Sequence, residues 1–121
     1  MENEVVSWKA GTTIYKHNDK PDCAYLLKEG GVLIKSETGT LVGFINKDEV
    51  FGEQSILLGT TRTVFAIAAK DSSAVKIPKQ NLLREYENSP ILIKALLRAA
   101  CMRLTNLTAT IKDDLKSFED G

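Results

Sequence analysis

Turn-forming residues cut the first 77 positions of this chain into short pieces: Gly11, Asn18-Asp19, Gly30-Gly31, Gly39, Asn46-Lys47-Asp48, Gly59 and Asp71-Ser72-Ser73. Such residues tolerate a positive φ or bond their own backbone, so the chain reverses where they fall. Between them lie β-rich runs: Tyr25–Leu27, Val32–Lys35, Leu41–Ile45, Val64–Ala68 and Ala74–Ile77. Lys35-Ser36-Glu37-Thr38-Gly39-Thr40-Leu41 reads as a hairpin turn. Many short strands at this interval predict a mainly β sandwich or barrel over residues 8 to 78.

After Pro78 the pattern becomes helical. Lys79–Glu87 suits a short helix, which Asn88-Ser89-Pro90 breaks. Ser89 is expected to cap a new helix with Pro90 at its first position, where a missing N–H costs nothing. From Ile91 to Phe118 apolar residues recur at helical spacing, with Leu97, Leu104, Ile111 and Phe118 seven apart. Ala100 and Leu107 fill the intermediate positions, and Asp114 interrupts the seam. Ile91, Leu92, Ile93, Leu96 and Leu97 are too many for one face, so the first turns are expected to pack on the β-structure. Leu104, Leu107 and Ile111 are then left for a second copy, which predicts a homodimer. At 121 residues the chain is one domain, the helical part running over 79 to 118.

Composition narrows the function. Formal net charge is zero, so no global field draws the chain to nucleic acid or an anionic membrane. No apolar run approaches ~18 residues, and the acidic start Met1-Glu2-Asn3-Glu4 is unlike a signal peptide, so a cytoplasmic protein is expected. Cys23 and Cys101 are then both reduced, with Cys101 buried on a helix. The sole histidine, His17, excludes a histidine-rich metal site and reads as a turn residue. Cys101 has no histidine nearby in sequence, and Asp48-Glu49 near Glu53 read as solvated loop acids. Neither a metal, a cofactor nor an enzymatic activity is expected. Trp8 is expected to pack against the core rather than stack on a base.

The segment from Val50 to Ala66 reads as strand, glycine turn, one helical turn, then an arginine opening the next strand. The free N–H groups of a helical turn beside a guanidinium make a site for one phosphate. Glu53 would repel that anion, but a carboxylate accepts well from sugar hydroxyls. Arg62 follows it by nine positions, and the pair suggests a sugar-phosphate ligand. The plainer reading makes Arg62 and Glu53 a structural ion pair. Gly52 lets backbone approach the ligand, or merely turns. Ser55 caps the helical turn, donates to phosphate, or does both. Thr63 reads as a strand residue, which its β-branching suits, and Gln54 reads as exposed.

Phe51-Gly52-Glu53, Gly59-Thr60 and Arg62-Thr63 stand in an order and spacing that resembles the cyclic-nucleotide-binding domain, of the catabolite activator protein and kinase regulatory subunit kind. Gly11–Tyr15 with Asn18-Asp19, and Tyr25-Leu26-Leu27 with Gly30-Gly31-Val32, match its earlier strands more weakly. The resemblance covers residues 8 to 104 approximately. It implies a double-stranded β-helix, a jelly-roll-like barrel, with a C-terminal helical segment. It implies cAMP or cGMP as ligand, held by Gly52, Glu53, Gln54, Ser55, Arg62 and Thr63 against a wall of Leu33, Val50 and Val64. Thr105, Asn106 and Thr108 lie where relatives lower a lid over the purine, or else face solvent. The signal would be relayed by the long helix to an effector the sequence does not name. Relatives that regulate transcription carry a helix-turn-helix there; this chain instead runs into the acidic segment Asp113–Gly121, so direct nucleic-acid binding is not expected. Thr63 does not settle the base. The rival reading is a degenerate member that binds no ligand and uses its helix for dimerisation or protein interaction.

Overall fold

The computed structural model describes residues 4–103. Eight antiparallel strands form two four-stranded sheets. One holds β1 (Glu4–Trp8), β8 (Ser72–Pro78), β3 (Cys23–Glu29) and β6 (Val50–Phe51), in that order. The other holds β2 (Thr13–Tyr15), β7 (Phe65–Ala68), β4 (Val32–Lys35) and β5 (Leu41–Ile45). The expected mainly β, jelly-roll-like architecture is present, as two facing sheets rather than one closed barrel.

Reversals fall at the turn residues. Asn18 and Asp48 hold φ of 75° and 68°, a region that Asn and Asp enter more readily than other side chains. The hairpin between β4 and β5 closes through Ser36, whose N–H donates to the Thr40 carbonyl at 2.8 Å. The core is shared by both sheets: Leu27, Phe51 and Ala74 from the first meet Tyr15, Val32 and Ala66 from the second. Trp8 packs on its edge, T-shaped against Tyr25 at 5.1 Å between ring centroids. Small residues (Ala66, Ala74) opposite large ones let the inner faces interdigitate.

Among the described residues, three helices decorate this frame. The short α1 (Gln54–Leu58) follows β6 and ends at Gly59, whose left-handed conformation (φ 70°) terminates it. After β8, α2 (Lys79–Asn88) packs against β3, β8 and α1. A further helix, α3, runs over 91–103 among the described residues. Here two expectations fail. Ser89 does not cap α3: its hydroxyl donates to the Glu85 carbonyl at 2.8 Å, closing α2 instead. Nor do the first turns of α3 pack on the sheets. Ile91, Leu92, Ile93, Leu96 and Leu97 are 85%, 67%, 44%, 57% and 42% exposed. Periodicity identifies an apolar face but not the surface that covers it. Leu104, Leu107, Ile111, Asp114 and Phe118 lie outside the described residues. No helix among the described residues is long and apolar enough to cross a membrane.

Candidate functional site

A cavity of about 640 Å³ opens between the second sheet and the β6–α1 segment. That volume suits a small-molecule ligand. Its walls are largely apolar (Ile34, Val42, Phe44, Ile45, Val50 and Val64), while Gly52, Glu53, Gln54, Ser55, Arg62 and Thr63 line one end.

Arg62 organises that end. The turn at 16–19 holds its backbone: Asn18 N–H donates to the Arg62 carbonyl at 2.7 Å, and Arg62 N–H to the Asp19 carbonyl at 2.8 Å. Its side chain is only 3% exposed. The guanidinium donates to the Gly52 carbonyl, to Ser55 Oγ at 3.0 Å and to the Cys23 carbonyl at 2.5 Å. It lies over the Tyr15 ring, Cζ 4.1 Å from the centroid. Among the described residues no carboxylate forms an ion pair with it. The structural Glu53–Arg62 bridge is therefore absent. Its direct hydrogen-bond partners are neutral oxygens, which recover only part of a desolvation cost of several kcal/mol.

Gly52 is required here on two counts. Its φ of +82° disfavours any side chain, and a Cβ would stand 3.0 Å from Arg62 Nη1. Glu53 occupies the first position before α1 and makes no side-chain capping bond. Burial pushes its carboxyl above the usual carboxylate range, with its own backbone and Arg62 partly offsetting the rise. An acid held in that way is an acceptor that gains from a hydroxyl donor.

Three expected roles change. Ser55 is buried inside α1 and accepts from Arg62, so it caps nothing. Gln54 is half-buried rather than exposed; its amide donates to the Cys101 carbonyl at 3.2 Å and ties α1 to α3. Leu33 is not in the wall. Strand alternation turns it away and presents Ile34, whose position in β4 is one residue on. Val50 and Val64 do line the cavity, and Thr63 stands exposed beside Arg62. Cys101 is buried, 6% exposed. Asp48 and Glu49 shape their turn, Glu49 Oε1 accepting from Asn46 N–H at 2.5 Å. Thr105, Asn106 and Thr108 lie outside the described residues.

The sequence reading missed Tyr15, His17, Phe44 and Glu37 as cavity residues. His17 does sit in its turn, but Nε2 stands 3.4 Å from Glu37 Oε2 across the cavity mouth. Contacts of this kind join segments distant in sequence, so no local signal marks them. A second cleft of about 280 Å³, lined by Trp8, Lys9, Glu29 and Asp71 among others, lies elsewhere and has no comparable buried charge.

Residues 5–89, more than half of the chain, match the family model described as cyclic nucleotide-binding domain. The chain belongs to this family. No curated protein sequence matches it significantly. Among solved structures, the cAMP-bound form of EAL enzyme Bd1971 superposes with a TM-score of 0.78 at 24% identity, over 96% of this chain and 32% of that one. Its cGMP-bound form gives 0.79 at 25%, over 93% and 31%. This cyclic nucleotide-binding domain thus spans about a third of the length of that enzyme. The sensor domain of the transcriptional regulator DNR from Pseudomonas aeruginosa gives 0.71 at 19% identity, over 84% of this chain and 75% of that one. These likenesses concern the fold. The stretch from Phe51 to Arg62, which carries the resemblance in the sequence, builds the charged end of the cavity.

Proposed function

We propose that this domain binds cAMP or cGMP reversibly, does no chemistry on it, and relays its presence through the C-terminal helix. The observation that carries the reading is the buried Arg62 guanidinium at the cavity end, without a carboxylate partner among the described residues. A cyclic phosphodiester supplies the missing anion. Three of the five guanidinium N–H donors have partners among the described residues, which leaves capacity for phosphate oxygen. The first N–H groups of α1 have no intrahelical partner and complete the cradle near Gly52 and Ser55. Glu53 accepts from the ribose 2′-hydroxyl, Thr63 flanks the phosphate, and the apolar walls take the purine. Gln54 gives the ligand a path to α3 through Cys101. The exposed face of α3 supports pairing with a second copy. The domain works in the cytoplasm without a metal or cofactor, signalling to an effector still to be identified.

The rival reading, a ligand-free interaction module, draws on the same arginine: donors already bonded to protein oxygens also suit a purely structural role. Calorimetric titration of the full chain with cAMP, cGMP and linear 5′-AMP decides. Saturable heat with either cyclic nucleotide, and far weaker binding of 5′-AMP, is expected. No heat from the cyclic nucleotides at millimolar concentration would leave the interaction module.

A further inference from the structure

The strand that carries Tyr15 is irregular in a way that matters to Arg62. Thr13 of β2 stands opposite Ile67 of β7, yet Tyr15 stands opposite Ala66, so β2 has one extra residue. In a regular strand Ile14 and Tyr15 would point to opposite faces. Here Tyr15 belongs to the buried core and Ile14 packs against that same core. A bulge re-aims side chains in this manner. Its result is a ring beneath the guanidinium at 4.1 Å.

The surroundings make the ring one wall of a tight slot. Phe51 backs it, nearly parallel (29°) at 6.4 Å between centroids. A Cβ at Gly52 would meet Tyr15 Cε2 at 3.4 Å as well as the guanidinium, so glycine, ring and guanidinium pack without slack. The carbonyls of Gly52 and Cys23 and the hydroxyl of Ser55 hold the guanidinium edge, and the ring lies against it. Burial pushes the Tyr15 hydroxyl up to about 12, so the ring stays neutral. A cation favours the face of such a ring.

We propose that Tyr15, delivered by the β2 bulge, is the positioning residue of the phosphate clamp: it fixes the plane of the Arg62 guanidinium before any ligand arrives. An arginine already immobilised loses less rotamer freedom on capturing a phosphate, and its fork meets one phosphate oxygen in preference to the other. The inference rests on the reading of this cavity as a cyclic-nucleotide site.

The test compares Tyr15→Met, which keeps apolar bulk without an aromatic face, with Tyr15→Phe, both in the full chain. Three readouts are taken: cAMP affinity, the affinity ratio of the two phosphorothioate diastereomers of cAMP, and the rate at which phenylglyoxal modifies Arg62 without nucleotide, resolved by mass spectrometry. Tyr15→Met should weaken cAMP about tenfold, the scale of a desolvated cation–aromatic contact. It should also move the diastereomer ratio towards one and speed Arg62 modification. Tyr15→Phe should restore all three. A wild-type diastereomer ratio and modification rate in Tyr15→Met would overturn the proposal. Should Tyr15→Met melt below working temperature, Tyr15→Leu with the melting curve recorded takes its place, and the same outcomes apply. If the wild-type chain binds no cyclic nucleotide, the functional reading falls by itself. The modification rates then judge the positioning role alone: faster reaction upholds it, an unchanged rate sinks it.

Discussion

The charged end of the cavity and the exposed turns of α3 spend their side chains in opposite ways. At the first, a charged residue is 3% exposed and its donors meet oxygens from β3, the turn between β6 and α1, and α1 itself. At the second, five large apolar side chains, spread over more than one face of the helix, are 42% exposed or more. The first arrangement is nearly complete within one chain, its guanidinium bonded to three protein oxygens. The second is incomplete within the described residues and wants an apolar surface. A buried cation and an uncovered apolar stripe both carry unrecovered free energy, but the missing partners differ in kind. Gln54, bonded to Cys101, joins the two regions directly.

Removing the cation should disturb the first region most. Arg62→Ala deletes the charged phosphate partner and strands the Gly52 and Cys23 carbonyls, so cyclic-nucleotide affinity should fall by more than about 2 kcal/mol. Titration calorimetry reads the affinity and thermal melting the accompanying loss of stability. Wild-type affinity in this variant would remove the phosphate from Arg62 and leave the two regions alike in lacking a ligand.

Alkali should loosen the same end without mutation. The unfolded Tyr15 ionises near 10.0, whereas burial holds the folded hydroxyl up to about 12. Below pH 10 both states keep the proton and this contribution is intact; between these values the folded state binds more protons, so stability falls as pH rises. The loss is on the order of 2–3 kcal/mol, read by denaturant titration across that range. Tyr15→Phe should flatten this part of the profile, and an unaltered slope would contradict the burial of that hydroxyl.

Glu53→Gln should act in two directions. Burial raises the carboxyl in the folded chain, so the stability it contributes is present at acid pH and lost as pH rises through the folded value. The amide should therefore leave the ligand-free chain slightly more stable at neutral pH, by no more than about 1 kcal/mol. It should bind nucleotide more weakly, because a neutral oxygen is the poorer acceptor for the ribose hydroxyl. Lower stability together with unchanged affinity would place Glu53 in the scaffold instead.

The smallest change in monomer stability should come from the other region. Leu92→Asp with Leu96→Asp replaces side chains already 67% and 57% exposed, so the monomer should keep its stability within about 0.5 kcal/mol. Its sedimenting mass should nevertheless drop from dimer to monomer. A wild-type chain that sediments as a monomer would require a different cover for α3.

The two-sheet architecture could be read from the sequence because turns and strands are local. Asn18, Asp48 and Gly39 favour reversals through their own backbone preferences, and the β-rich runs between such turns became strands. Phe51-Gly52-Glu53 and Arg62 were legible as a group because one short loop and helix carry them. What lay beyond the sequence was every decision made between distant segments. Ser89 had two helices within reach and bonded the earlier one. Leu33 and Ile34 were equally apolar until pairing with β5 and β7 settled which of them faced the cavity. Tyr15 reached Arg62 only because β2 bulges against β7. Periodicity gave α3 its apolar face, but its cover depends on surfaces that come together only after the chain has folded. Propensities fix φ and ψ one residue at a time, whereas packing compares whole surfaces, and only the tertiary structure supplies those.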